Sequence, residues 1–132
     1  FLEEIISEYV DIIFANEEEA KAFTGTDPED AVAELANLCE IAVVKIGAKG
    51  SLIQRQDDLI RIQAAEGKCI DTTGAGDLYT AGFFHGYAQG LPLETCGKIA
   101  SIVAGKVISV YGARMEDGMW DDIKKEIKAI IA

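Results

Sequence analysis

The sequence predicts an α/β fold, a layered sheet flanked by helices. Short apolar runs at residues 10–15 and 41–46 read as buried strands. Stretches with helical spacing alternate with them, and from about residue 75 onward helical patterns dominate. About half of the 132 residues are hydrophobic, enough to bury a core in one domain.

Taken in order, Leu2, Ile5, Ile6 and Tyr9 give residues 1–9 the apolar stripe of an amphipathic helix. The strand at 10–15 ends at Asn16, and residues 17–23 read as a short helix closed by Gly25. Asp27 and Pro28 restart a helix as N-cap and first helical residue, running to about residue 37. The second buried strand, 41–46, leads into a tight turn at 47–50. Residues 51–55 and 59–63 read as hairpin strands around Gln56, Asp57 and Asp58. A helix rich in small residues follows at about 75–89 and closes at Gly90. Leu91-Pro92 starts the next, which reaches about residue 110 before Tyr111-Gly112-Ala113. Residues 119–131 form a last amphipathic helix, with Trp120, Ile123, Ile127 and Ile130 on one stripe. Tyr79, Phe83 and Phe84 are expected in the core.

The net charge of −11 disfavours nucleic-acid and anionic membrane partners. Cys39, Cys69 and Cys96 are odd in number, far apart and without metal-ligand spacing to the single His85, as expected of reduced thiols in a cytoplasmic protein. No apolar run has the length of a transmembrane helix, and no signal peptide is visible. The chain begins without Met, inside an expected helix, and is expected to be a piece of a longer protein.

The chemistry concentrates at residues 71–77, Asp-Thr-Thr-Gly-Ala-Gly-Asp. A strand end runs through glycines into a helix. The first amides of a helix lack intrahelical acceptors and can bind an anion, and glycines let backbone approach it. Asp77, expected in the first turn, has two roles open to it. It caps the helix, or it accepts a proton from a hydroxyl attacking phosphorus.

The whole run resembles the C-terminal signature of the PfkB/ribokinase family of carbohydrate and nucleoside kinases. The resemblance implies a ribokinase-like layered sheet flanked by helices, C-terminal portion only, with residues 1–132 the nucleotide-binding and catalytic part. It gives Asp77 the role of catalytic base. Gly74, Ala75 and Gly76 become the anion hole for the transferring phosphoryl group of ATP. Asn16 and Glu19 match the family's Asn-x-x-Glu motif, which helps hold Mg²⁺, partly through water; locally, the same residues read as a cap and a solvated acidic face. Gly47 and Gly50 match the glycines of a strand–turn segment at the nucleotide. Lys45, beside them, either reaches phosphate oxygens or is an exposed strand-end residue. Ser101 and Gly105 would flank the adenine, although small helical residues also serve packing. Asp71 and Thr73 match positions that bind a monovalent cation such as K⁺ in some relatives, or else cap their loop. Residues 107–114 look more like adenosine-kinase-like members than sugar kinases.

The implied function is ATP-dependent phosphorylation of a hydroxymethyl group on a sugar or nucleoside. The competing class is a nucleotide-binding module without catalysis, or an inactive fragment of such a kinase. A Rossmann dehydrogenase is disfavoured because Tyr79 occupies the third glycine position counted from Gly74. No Walker sequence occurs. The family's early Gly-Gly substrate motif is absent, so most of the acceptor site is expected outside this sequence. Missing strands would leave an open sheet edge, and the chain is expected to form a homo-oligomer or to pair with the N-terminal half.

Overall fold

Two parallel strands and an antiparallel hairpin form the sheet of the first of two compact units, Phe1–Arg61 and Ile62–Ala132. The computed structural model describes residues 2–64, 73–109 and 124–130. The first unit runs α1 (Leu2–Tyr9), β1 (Ile12–Asn16), α2 (Glu17–Thr24), α3 (Pro28–Leu38), β2 (Ile41–Lys45), a 3-10 turn (Gly47–Lys49), β3 (Ser51–Arg55) and β4 (Asp58–Ile62), whose last residue falls in the second unit. The strand order is β1-β2-β3-β4. β1 and β2 are parallel, from Ile12 beside Ile41 to Asn16 beside Lys45. The α2–α3 crossover makes that possible, since parallel neighbours cannot be joined by a tight turn. β3 returns antiparallel to β2, with Val43 opposite Ile53 and Lys45 opposite Ser51.

Side-chain alternation sorts the sheet into two faces. Ala15, Ala42, Val44 and Leu52 pack on Ala20 of α2 and on Ala31, Val32, Leu35 and Ala36 of α3. Ile41, Val43 and Ile53 point to the opposite face and are also fully buried. Burial on both sides explains why β2 reads as an unbroken apolar run rather than an alternating one.

Two boundaries differ from the sequence expectation for local reasons. Val10 does not open β1; its amide donates to the carbonyl of Ile6 at 3.1 Å and so completes α1. The hairpin turns on two residues, Gln56-Asp57, and β4 begins at Asp58. Gln56 takes φ 54°, a conformation usually left to Gly or Asn, so no residue type announced the tighter turn.

The second unit contains α4 (Thr73–Ala88), α5 (Leu93–Ser109) and helical residues 124–130. Gly90, at φ 75°, ends α4; the amide of Leu91 reaches the carbonyl of Gly86 and that of Gly90 reaches Tyr87. This is a Schellman closure. Pro92 does not enter α5. Its carbonyl instead accepts the first helical bond, from the amide of Cys96 at 3.0 Å.

α4 and α5 approach closely where α4 has no side chain. A Cβ on Gly82 would lie 2.9 Å from the Cα of Ala100, and one on Gly86 would lie 3.1 Å from Sγ of Cys96. The pairing of 82 with 100 and 86 with 96 makes the helices antiparallel. Ile99 and Val103 form a small core with Leu78, Leu91, Ile102 and Ile127. Tyr79 and Phe83 are buried as expected, but Phe84 is 44% exposed and stands edge-on to Phe83. One step of helix, about 100°, separates Phe84 from the buried face that Phe83 occupies. His85 is an exposed helix residue hydrogen-bonded to Gln89 at 2.9 Å.

Candidate functional site

The first unit gathers Asn16, Glu19, Lys45, Gly47 and Gly50 at one end of its sheet, the carboxyl ends of the parallel strands β1 and β2. Open α/β sheets bind ligands at such ends. Asn16 is the last residue of β1 and the N-cap of α2. Its Oδ1 accepts from the amide of Glu19 at 2.7 Å, and its own amide donates to Oε1 of Glu19 at 3.0 Å. The pair is thus a capping box. Both side chains are exposed, and Glu17, Glu18 and Glu19 add three carboxylates to the first turn.

Lys45 stands in register beside Asn16 and opposite Ser51. Ala42 and Val44 face α2 and α3, so alternation places Lys45 and Ser51 on the other face, beyond Val43 and Ile53. Lys45 is half-buried, and among the described residues it has no carboxylate within ion-pair distance. In a chain of net charge −11 this makes it a local cationic spot.

The turn after Lys45 requires its glycines. Gly47 has φ 60°, and Gly50 combines φ 98° with ψ −133°, a region essentially closed to residues with a Cβ. Gly50 donates to the carbonyl of Gly47 at 3.0 Å and accepts from the amide of Ile46 at 2.9 Å. The turn is therefore fixed by backbone bonds and leaves the Lys45 side chain outside its own network.

Ser51 was not singled out by the sequence, yet it is the buried polar residue of this end, at 2% exposure. The signal that could have found it is its place: directly after the Gly-rich turn, it shares the face of Lys45 by strand alternation.

The second unit holds Gly74, Ala75, Gly76, Asp77, Ser101 and Gly105. α4 begins at Thr73, about two residues earlier than the sequence suggested, so Gly74, Ala75 and Gly76 complete its first turn. Asp77 consequently lies one residue beyond that turn, not within it. The amides at the start of the helix have no acceptor within it. Asp77 is exposed and follows this glycine-rich first turn, and side chains on a helix lean toward its N-terminus. Thr80 Oγ1 donates back to the carbonyl of Gly76 at 3.1 Å. Continuing the antiparallel register of α4 and α5 brings Gly105 level with Asp77 and Ser101 level with Ala81. Ser101 and Gly105 are each half-buried. Asp71 and Cys69 lie outside the described residues, as do Tyr111-Gly112-Ala113, Trp120 and Ile123.

Among the described residues no three His, Cys, Asp or Glu side chains cluster to hold a metal directly, and no helix is long and apolar enough to cross a membrane.

Comparison with known proteins identifies relatives in one family of kinases. Residues 2–117 match the model of the pfkB family carbohydrate kinases. A cytidine kinase of Thermococcus kodakarensis is 36% identical over 117 residues, which cover 84% of this chain and 41% of that kinase. The crystal structure of adenosine kinase from Sinorhizobium meliloti superposes with a TM-score of 0.84 at 38% identity, over 95% of this chain and 39% of that one. Ribokinase of Arabidopsis thaliana, solved with ribose and ATP, matches with a TM-score of 0.80 at 31% identity, over 96% of this chain and 43% of its own. The chain therefore spans well under half the length of these relatives.

Proposed function

Because the chain belongs to the pfkB family of carbohydrate kinases, we propose that it is the C-terminal, nucleotide-binding and phosphoryl-transferring part of an ATP-dependent kinase. Its acceptor is a hydroxymethyl group on a sugar or nucleoside. The observation that carries this reading is the start of α4, where a first helical turn of Thr73, Gly74, Ala75 and Gly76 is followed directly by the exposed Asp77. An anion site and a proton acceptor one turn apart on a single helix suit attack of a hydroxyl on a bound phosphoryl group.

In this reading Asp77 takes the proton of the attacking hydroxyl, and the amides at 74–76 hold the γ-phosphoryl oxygens as negative charge shifts onto them. Lys45 reaches the phosphate chain from the end of β2. Ser101 and Gly105 lie along the adenine. The second carboxylate oxygen of Glu19, which the capping box leaves to solvent, beside the capped Asn16, suits Mg²⁺ held largely through its waters, which would neutralise phosphate charge when bound. Asp71 and the backbone at Thr73 would take a monovalent cation. A nucleoside is favoured over a simple sugar, because residues 107–114 resemble adenosine-kinase-like members and two of the relatives above are a cytidine and an adenosine kinase.

The test is a panel of nucleosides and sugars assayed for acceptor-dependent ADP release by the protein that carries this chain. With the best acceptor, Asp77→Asn should lower kcat by about 10²–10⁴-fold, the usual contribution of a general base, while ATP affinity stays within a few-fold. Full turnover by Asp77→Asn would remove Asp77 as the base. Undiminished ATP binding with no acceptor in the panel would favour a binding module without catalysis.

A further inference from the structure

β4 is the outermost described strand on the hairpin side of the sheet, and the charges along its free edge are self-complementary. The hairpin turns on Gln56-Asp57, so Arg55 and Asp58 close it as a hydrogen-bonded pair. Bonded and non-bonded pairs alternate along an antiparallel ladder. Asp58 and Ile60 therefore direct their backbone groups to β3, whereas Leu59 and Arg61 turn theirs outward. The same register sets Arg61 opposite Leu52, on the face that packs against α3. The ion pair of Arg61 with Glu29 of α3, at 2.9 Å, agrees with that placement.

Three exposed side chains mark this edge. Leu59 is a large apolar residue left 40% exposed. Asp57 stands two residues before it and Arg61 two residues after it, so an acid and a base are centred on Leu59. Among the described residues Asp57 has no cation within ion-pair distance. Arg61 gives Nη1 to Glu29 and keeps the donors on Nε and Nη2.

A charge on an edge strand ordinarily blocks pairing. Here the two charges have opposite signs, and a second copy supplies the complement of each. A two-fold axis through Leu59, perpendicular to the sheet, sets Leu59 opposite Leu59 of the second copy. It brings Asp57 of each copy beside Arg61 of the other. The outward backbone groups of the two Leu59 residues then meet as a bonded pair. Moving the axis to Ile60 loses the match, because Arg61 would face Leu59 and Asp58 would face the buried Ile62. Parallel pairing sets like charges together. We infer that the β4 edge is an interface for a second copy of this chain, joined antiparallel about Leu59 and flanked by two Asp57–Arg61 ion pairs. The edge is made by the chain's own hairpin and does not arise from strands the chain lacks. A strand of five residues covers little area, so the association is reversible and concentration-dependent. None of this depends on the phosphotransfer reading, and its test reads no activity.

Sedimentation velocity of the protein that carries this chain, over a range of concentrations, measures the association. The parent should dimerise, and its Leu59 amide should exchange more slowly as the dimer fills. Asp57→Arg and Arg61→Asp are then made separately. Each turns two attractive cross-strand pairs into two repulsive ones and should weaken the dimer by roughly tenfold or more. Mixing the two variants restores opposite charges at both ends of the interface. The mixture should therefore form a heterodimer at concentrations where neither variant associates with itself. Glu29→Gln breaks only the pair within the chain and should not weaken the dimer. A parent that stays monomeric, a dimer that both single variants leave intact, or two variants whose mixture fails to associate would overturn the inference.

Discussion

Replacing Gly82 by Ala tests whether the close approach of α4 and α5 is real, because two effects of opposite sign compete there. An extra methyl in the middle of a helix ordinarily stabilises it, by about 0.8–1.0 kcal/mol relative to Gly. At Gly82 the new Cβ would sit 2.9 Å from the Cα of Ala100, 3.3 Å from its amide nitrogen and 3.3 Å from the carbonyl oxygen of Ile99. Carbon atoms pack best at about 3.5–4.0 Å, so the shortfall is roughly 0.6–1.1 Å. The obstacle is backbone and cannot rotate aside; the helices must separate. Overpacking of this kind costs about 1–3 kcal/mol. The net expectation is destabilisation of about 1 kcal/mol, or a melting temperature lower by about 4 °C for a chain of this size. Gly86→Ala meets the side-chain sulfur of Cys96 first, at 3.1 Å, and should cost less.

Thermal and urea unfolding followed by far-ultraviolet circular dichroism measure both variants directly. A Gly82→Ala protein more stable than the parent by about 1 kcal/mol would show that helix propensity wins, and the close packing would be refuted. The result bears on function too. α4 carries the proposed site residues Gly74, Ala75, Gly76 and Asp77, and if they act as proposed, a misplacement by about 1 Å can cost 10²-fold in rate. In an active kinase containing the chain, Gly82→Ala should therefore lower turnover by more than its stability loss explains.

Two further predictions concern the first unit. Asn16→Ala removes the cap of α2 and should cost about 1 kcal/mol in the same melts, whereas Asn16→Asp keeps an acceptor and should stay within about 0.5 kcal/mol. Burial pushes the Cys39 thiol above its ordinary value of 9.0, opposed by contacts with the backbone at Ile13 and Ile41. The folded state thus holds the proton more tightly than the unfolded chain, so the contribution is fully present below pH 9.0 and is lost as pH rises through the higher folded value. Denaturation profiles should fall more steeply above pH 9.0 for the parent than for Cys39→Ala, and equal slopes would contradict the assignment.

The parts of this molecule legible in the sequence are those that local chemistry decides. Asn16 followed three residues later by Glu19 announces a capping box, and the structure forms it. Gly47 and Gly50 mark a turn: Gly47 takes a left-handed φ that glycine adopts freely, and the dihedral angles of Gly50 are essentially closed to other residues. Pro28 and Gly25 punctuate α2 and α3 for the same kind of reason. What the sequence hid depends on register between segments far apart. Nothing in the composition of α4 says that Gly82, rather than another of its glycines, meets the backbone of Ala100. Nothing around Ser51 says that it is buried until β3 is placed against β2. The start of α4 was misjudged because Thr73 and the glycines after it read as loop, yet they take helical geometry, and this moves Asp77 out of the first turn.

The capping box also bears on how the proposed metal role should be judged. Capping and ion binding are usually weighed as rivals for the same side chains, but here the bonds divide the atoms. Oδ1 of Asn16 and Oε1 of Glu19 are committed to amides, which ties both side chains to the backbone at the carboxyl end of the sheet. The second carboxylate oxygen of Glu19 is left outside that reciprocal pair. A hydrated Mg²⁺ needs few direct protein oxygens but needs them held still, because its waters must be oriented in an octahedron. The cap supplies that stillness through two local bonds, so its formation favours the metal reading rather than displacing it. The consequence is a separable pair of effects. Asn16→Asp preserves the cap and adds a charge, so any change it causes in Mg²⁺ dependence reports on the ion and not on the stability of α2.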